Sequence, residues 1–251
     1  MLEAGSGAAT PIVFLHGVGS DKSVWRPQLD HFCRSRRAIA FDYPGYGESA
    51  PAGAAGRDDF AAAIFAAMDA LRVERAHVCG LSLGGVIAIA MHALAPRRCA
   101  SLILADSFAV HPRGQAIYER SVEASRTLGM RALAEARVDL LLGSAALPEL
   151  RGEVIETMAA IDPHAYRIGA EAVWLADQRD RAAAIGVPTL VLCGTQDRIT
   201  PPELSVHLAD LIPGARLELI DGAGHLANAE RPAAFNAAID RFLAETERDL
   251  A

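Results

Sequence analysis

The run Gly80-Leu81-Ser82-Leu83-Gly84 constrains this chain more than any other feature, because of what stands on either side of it. The apolar run His77–Leu81 before it reads as a buried strand, and the apolar run that opens at Gly84 reads as a helix. A serine between glycines at a strand-to-helix junction sits on a sharp turn. The glycines let the two backbones close up, and the turn lifts the serine side chain above the sheet. In a chain with 21 glycines, a chance Gly-x-Ser-x-Gly is expected about 0.08 times. Ser82 is therefore the candidate nucleophile.

From Pro11 onward, apolar runs alternate with helical stretches, which is the rhythm of a doubly wound α/β sheet, mostly parallel, with helices on both faces. Strands are expected at Ile12–Leu15, Ala38–Asp42, His77–Leu81, Ser101–Asp106, Thr189–Cys193 and Leu217–Ile220. Their nearly continuous apolar character suits strands buried on both faces. Helices are expected around Trp25–Phe32, Phe60–Leu71, Gly84–Ala95, Pro201–Leu211 and Pro232–Glu245. Thr200, Pro201 and Glu203 read as an N-cap, a first-turn proline and a capping box for the fourth of these. Between Phe108 and Gln178 the rhythm stops, and only helical stretches remain, the last of them preceded by the cap pair Asp162-Pro163. The expected division is a core formed by 1–107 and 179–251, with 108–178 inserted as a helical lid after the strand ending near Asp106. Such a lid would lie over the carboxyl edge of the sheet, where ligands bind in open α/β folds.

A serine hydroxyl is a poor nucleophile at neutral pH and needs a base that is itself held by an acid. In a fold of this kind the partners follow in the order serine, acid, histidine. His225 stands in the loop Gly222-Ala223-Gly224-His225 after the last expected strand. His77 begins a strand, His92 lies in the core helix, and His31 and His207 read as surface helix positions. For the acid there are two candidates. Asp197, in Gly194-Thr195-Gln196-Asp197, is favoured because its glycine-containing loop follows a strand and precedes a capped helix; Asp106, at another strand end, competes with it. Two backbone N–H groups are expected to form the oxyanion hole: Leu83, next to the nucleophile, and Val18, in His16-Gly17-Val18-Gly19. His16 itself reads as a brace for that loop.

The net charge of −7 and the absence of any block of like charges argue against nucleic acid and against an anionic membrane surface. The longest apolar stretch, Leu81 to Ala95, is too short for a membrane span. The N-terminal segment lacks a basic start and an apolar signal core. Cys33, Cys79, Cys99 and Cys193 stand singly, without metal-ligand spacing, and read as reduced thiols, which points to the cytoplasm. No metal or organic cofactor is expected, and the expected partner is a small molecule.

Taken together, His16–Gly19, the segment Asp42-Tyr43-Pro44-Gly45-Tyr46-Gly47-Glu48-Ser49, Gly80–Gly85, Gly194–Pro201 and the run Gly224–Pro232 resemble the α/β-hydrolase fold superfamily over nearly the whole chain. Ser82 sets it apart from the branch with an aspartate nucleophile, such as haloalkane dehalogenases and epoxide hydrolases. Within the serine branch it looks most like 3-oxoadipate enol-lactonases, through Gly80–Gly85, Leu128–Ala134, Ala182–Leu190 and His225–Pro232. It departs from them at Val138–Gly143, where they carry an aromatic-rich patch, and at the N-terminus, where the first two strands usual for the fold are expected to be missing or reduced. The resemblance implies hydrolysis of a carboxylic ester or lactone through an acyl-enzyme on Ser82. Alternatives are a general aryl or alkyl esterase, a C–C hydrolase of meta-cleavage products, and a ligand receptor that keeps the fold without turnover. Because an enol-lactone or dienoate carries a carboxylate, a lid arginine is expected near the pocket, from Arg113, Arg126 or Arg167, together with Trp174.

Overall fold

A computed structural model of the chain describes residues 1–50 and 56–249. Six strands form a single sheet in the order β2-β1-β3-β4-β5-β6. They are β1 (Leu2–Leu15), β2 (Arg36–Phe41), β3 (Ala76–Leu81), β4 (Cys99–Ala105), β5 (Thr189–Gly194) and β6 (Arg216–Ile220). The helices are α1 (Arg26–Phe32), α2 (Arg57–Ala70), α3 (Leu83–Leu94), α4 (Gly114–Thr127), α5 (Gly129–Leu141), α6 (Pro148–Ala159), α7 (Pro163–Trp174), α8 (Arg179–Ala183), α9 (Pro202–Leu211), α10 (Ala227–Glu230) and α11 (Pro232–Asp249).

Alternation along the strands builds two cores. Val13 and Leu15 of β1 join Ile64 and Phe60 of α2 and Val86 of α3 on one face. Ile12 and Phe14 join Trp25, Phe32 of α1 and Phe235, Ile239 of α11 on the other. Side chains two apart point the same way, so an uninterrupted apolar strand must be covered on both faces. Phe14 and Trp25, with ring centroids 4.9 Å apart, anchor the second core.

The first strand begins ten residues earlier than its apolar run. Leu2, Glu3 and Ala4 lie opposite Ala40, Ile39 and Ala38, so these first pairs run antiparallel, although the β1–β2 ladder as a whole is parallel. Ile12 to Leu15 then lie opposite Ala38 to Phe41 in the parallel sense. Ala38 therefore has Ala4 on one side and Ile12 on the other. Between the two stretches the chain crosses the start of β2 so closely that a Cβ on Gly5 would stand 2.4 Å from the Arg36 carbonyl, and one on Gly7 2.2 Å from that of Ser35. The antiparallel pairing on the outer edge of β2 is thus three residues long.

The chain winds outward from β1 to β2, then returns past β1 to β3. That reversal leaves a crevice beyond the carboxyl ends of β1 and β3, where open α/β sheets bind ligands. The expected strand-free segment holds α4 to α7, inserted between β4 and β5. Its two ends meet at an antiparallel bridge, Val110 with Asp177, and the buried Gln178 side chain donates to the Val86 carbonyl of α3. Asp162 caps α7 as expected, accepting from the His164 and Ala165 amides. The capping expected from Thr200 does not occur. Helix α9 starts at Pro202 without a side-chain cap, because the Thr200 hydroxyl is engaged elsewhere.

All four cysteines are free thiols, and three of them are buried. Burial pushes the Cys99 thiol up to about 12. Among the described residues, no helix is long and apolar enough to cross a membrane.

His77 makes stability depend on pH. It is buried at the start of β3, with Nδ1 2.8 Å from the Ser101 hydroxyl. Burial, with the charge of Arg36, holds its pKa down to about 4 against the ordinary 6.5. Because the folded value is the lower one, protonation favours the unfolded chain. The stabilisation is whole above about pH 6.5 and is lost as pH falls toward 4. Between pH 7 and 4.5 this one group is expected to remove about 2 kcal/mol. Urea unfolding of the wild type and of His77→Gln at both pH values measures it as the difference between the two slopes.

Candidate active site

Ser82 occupies the junction of β3 and α3 with φ 55° and ψ −112°, a conformation that L-residues rarely adopt. Neighbouring glycines make the turn possible. A Cβ on Gly80 would fall 2.1 Å from the Gly84 carbonyl oxygen, and one on Gly84 2.1 Å from that of Leu15. The turn is held from below by the Ser82 amide, which donates to the Ala105 carbonyl at 2.9 Å, and by the Ser107 hydroxyl, which donates to the Ser82 carbonyl at 2.9 Å. As first residue of α3, Leu83 presents an N–H with no intrahelical acceptor. Gly17 packs against Ser82, its site for a Cβ lying 3.6 Å from the serine Cβ, and Val18 follows it along the rim of the cavity.

His16 lies beneath this loop, fully buried, with Nδ1 2.8 Å from the Gly17 carbonyl and its ring 4.4 Å from that of Tyr43. Burial lowers its pKa, so it stays neutral and carries its proton on Nδ1. Tyr43 donates its hydroxyl to the His16 carbonyl at 3.0 Å. These contacts brace the loop from within the protein.

The two candidate acids lie side by side with Cys193, their ligand atoms within 4.8 Å of one another. Asp197 Oδ2 is 2.8 Å from His225 Nδ1 and accepts the Thr200 hydroxyl at 2.6 Å. Its Oδ1 accepts the amides of Ile199 and Thr200 at 2.7 and 3.0 Å. Burial alone would raise its pKa, but the charge of His225 and the bonds from His225 and Thr200 outweigh burial and hold it below the usual carboxylate range. Asp106, left-handed at φ 47°, accepts the Gly194 amide through Oδ1 at 2.8 Å and the Thr200 hydroxyl through its backbone carbonyl at 2.9 Å, and its Oδ2 has no partner. Burial, followed by repulsion from Asp197, pushes it well above that range. The surroundings thus favour the charged form of Asp197, which faces the histidine, and disfavour that of Asp106. The grouping offers little to a metal: Asp197 is saturated with donors, and burial pushes the Cys193 thiol up.

Ser82 and His225 line one cavity of about 340 Å³. The insertion supplies its opposite wall, with apolar contributions from Leu141 of α5, Val154 and Met158 of α6 and Trp174 of α7, and polar ones from Glu149, Glu153 and Thr157 of α6. Trp174 is thus placed where it was expected. Arg113, Arg126 and Arg167 are not: none of them lines the cavity, and all three are exposed. Arg126 is paired with Glu123, and Arg167 donates to His164. A different lid arginine, Arg137, stands in the wall, half-buried. It donates to the Ser121 and Tyr166 hydroxyls at 3.2 and 2.9 Å, both neutral oxygens. Its position was detectable in principle, since it falls on the buried stripe of α5 formed by Leu133, Ala134, Val138 and Leu141. Thr200 was missed as a site residue because its sequence context reads as a helix cap.

Residues 10–232 match a protein family described as alpha/beta hydrolase fold. The chain is 30% identical to a protein of Azorhizobium caulinodans provisionally named a carbamate hydrolase, over 96% of this chain and 94% of that one. It is 32% identical to the 2-hydroxymuconate semialdehyde hydrolase of Pseudomonas sp. strain CF600, over 96% and 89%. The crystal structure of the enol-lactonase from Burkholderia xenovorans LB400 superposes with a TM-score of 0.91 at 30% identity, covering 97% of this chain and 95% of that one.

Proposed function

Because this chain belongs to the α/β-hydrolase fold family, we propose that it is a hydrolase of carboxylic esters or lactones with Ser82 as nucleophile, His225 as base and Asp197 as the acid that orients it. The observation that carries this reading is that His225, which lines the same cavity as Ser82, sets its Nδ1 2.8 Å from the fully bonded carboxylate of Asp197 behind it. With Nδ1–H donated to the carboxylate, Nε2 keeps its lone pair and can take a proton. His225 would remove the Ser82 proton as Oγ attacks the carbonyl carbon, and then give it to the departing alkoxide or enolate. Water would next attack the acyl-enzyme, passing its proton to His225, which returns one to Ser82. The Val18 and Leu83 N–H groups would hold the oxyanion in both steps, a contribution of about 3–4 kcal/mol per donor. These steps use no metal or organic cofactor. Residues 108–178 would act as the lid, excluding water and supplying the opposite wall.

Among ester-bond substrates, an enol-lactone bearing a carboxylate, such as 3-oxoadipate enol-lactone, fits best. Arg137 is a half-buried cation bonded only to neutral hydroxyls, and a substrate carboxylate would complete it. The test compares kcat/KM for 3-oxoadipate enol-lactone with that for a neutral aryl acetate. A strong preference for the lactone, reduced about 10- to 100-fold by Arg137→Met while the aryl acetate is unaffected, is the expected result. Good aryl-ester hydrolysis with little lactone turnover would identify a general esterase. No Ser82-dependent turnover of any activated ester would point to a ligand receptor.

A further inference from the structure

The loop carrying His225 is fastened to the insertion through one buried carboxylate. Glu230, the last residue of α10, is 9% exposed and does not line the cavity. Its Oε1 accepts the Gly224 amide at 2.9 Å, and its Oε2 accepts the Gly143 amide at 2.7 Å. Gly224 precedes His225; Gly143 lies two residues past the end of α5. The same seam carries a second bond, from the His225 amide to the Leu141 carbonyl at 2.7 Å. The two segments touch so closely that neither glycine has room for a side chain. A Cβ on Gly224 would stand 2.5 Å from the Gly143 nitrogen, and one on Gly143 2.8 Å from the Gly222 carbonyl oxygen. The loop bearing Asp197 joins the same seat, with Gln196 accepting the Ser144 amide at 2.8 Å through its side chain.

We propose that Glu230 is a positioning residue that locks the His225 loop to the end of α5, so that the imidazole is in place only while the insertion is seated. The inference rests on His225 being the base. Its physical ground is that two amide donors converge on one carboxylate, one from each segment, and each takes a different oxygen. A charged acceptor bonded to two buried N–H groups makes stronger bonds than neutral pairs do, and losing it leaves both donors unsatisfied in the interior. Movement of the insertion would break the Gly143 bond and the Leu141 bond together, and the His225 loop would lose both ties to the end of α5, one through Glu230 and one at the His225 amide.

The decisive variant is Glu230→Gln, which preserves shape but offers one acceptor oxygen and turns an NH2 toward the second amide. Turnover of an aryl acetate is read per mole of Ser82 that a phosphonate can modify, so that unfolded protein is not counted. Expected is a fall in kcat on the order of 10- to 100-fold, with KM changed less than threefold. Glu247→Gln, which breaks a half-buried ion pair with Arg36 away from the cavity lining, should lower the melting temperature and leave kcat intact. A Glu230→Gln kcat within twofold of wild type overturns the proposal. Hydrogen exchange on the unmodified protein tests it without any substitution: the amides of Gly143–Ser144 and of Gly224–His225 should open at matching rates. A difference beyond tenfold overturns the coupling whether or not the variant folds. If Ser82→Ala proves active while these rates still match, the assignment of the site fails and the coupling stands.

Discussion

Replacing Ser82 with alanine is expected to lower kcat on an activated aryl ester by about six orders of magnitude. Alanine keeps the turn, since the φ of 55° is enforced by the packing of Gly80 and Gly84 rather than by the serine side chain. What disappears is the oxygen on which the acyl group would be carried in the proposed mechanism. The remaining rate would come from water attacking a carbonyl already polarised by the Val18 and Leu83 amides, a residual acceleration of about 10³- to 10⁴-fold over solution. A burst of product in the wild type, absent from the variant, would mark the acyl-enzyme directly. Turnover by the variant within tenfold of wild type would remove Ser82 from the mechanism.

A loss of about four orders of magnitude is expected for Asp197→Asn, against less than tenfold for Asp106→Asn. The hydrogen bonds decide how the new amide must lie. Oδ1 of residue 197 accepts two backbone N–H groups, from Ile199 and Thr200, so an asparagine there must keep its oxygen on that side. Its NH2 then faces His225 Nδ1, which has to become an acceptor. The ring proton moves to Nε2, and the base can no longer take the Ser82 proton. At position 106 burial disfavours the charged form, and the carboxyl is bonded through one oxygen to the Gly194 amide. Asparagine reproduces that bond. Comparable damage from both variants would mean that Asp106 shares the charge on which His225 depends. Steady-state kinetics on the two proteins, each checked for folding by circular dichroism, separate the cases.

Most of the architecture can be read from the sequence because a strand covered on both faces leaves a continuous apolar mark. Five of the six strands fall within two residues of where that mark places them. β1 does not, because Leu2 to Thr10 forms an exposed crossing rich in glycine and alanine, whose pairing depends on β2 and not on its own side chains. Ser82, Asp197 and His225 were legible because each stands in a loop after a strand, and the direction of the sheet brings such loops to one edge. The arginines of the insertion were not. Which side of a lid helix faces the cavity depends on how α4 to α7 pack on one another, and alanine-rich helices give a weak stripe. Thr200 shows a different limit. Its hydroxyl could serve the helix or the acid, and the three-dimensional position of Asp197 settled the competition.

The course of β1 also bears on whether the sheets of two copies can join edge to edge. Unpaired strand edges invite other chains to add on, and natural sheets blunt them with short strands and charge. Leu2 to Ala4 closes the outer edge of β2, and the Glu3 carboxylate clips onto Arg37 across the joint. At the far end, the five-residue β6 presents Arg216 and Glu218, each paired to α11. Removing residues 2–9 would leave Ile12–Leu15 in the middle of the sheet and uncover the outer edge of β2 at Ala38–Ala40. The shortened protein should then retain its active site and begin to self-associate, through an edge that the first four residues otherwise occupy.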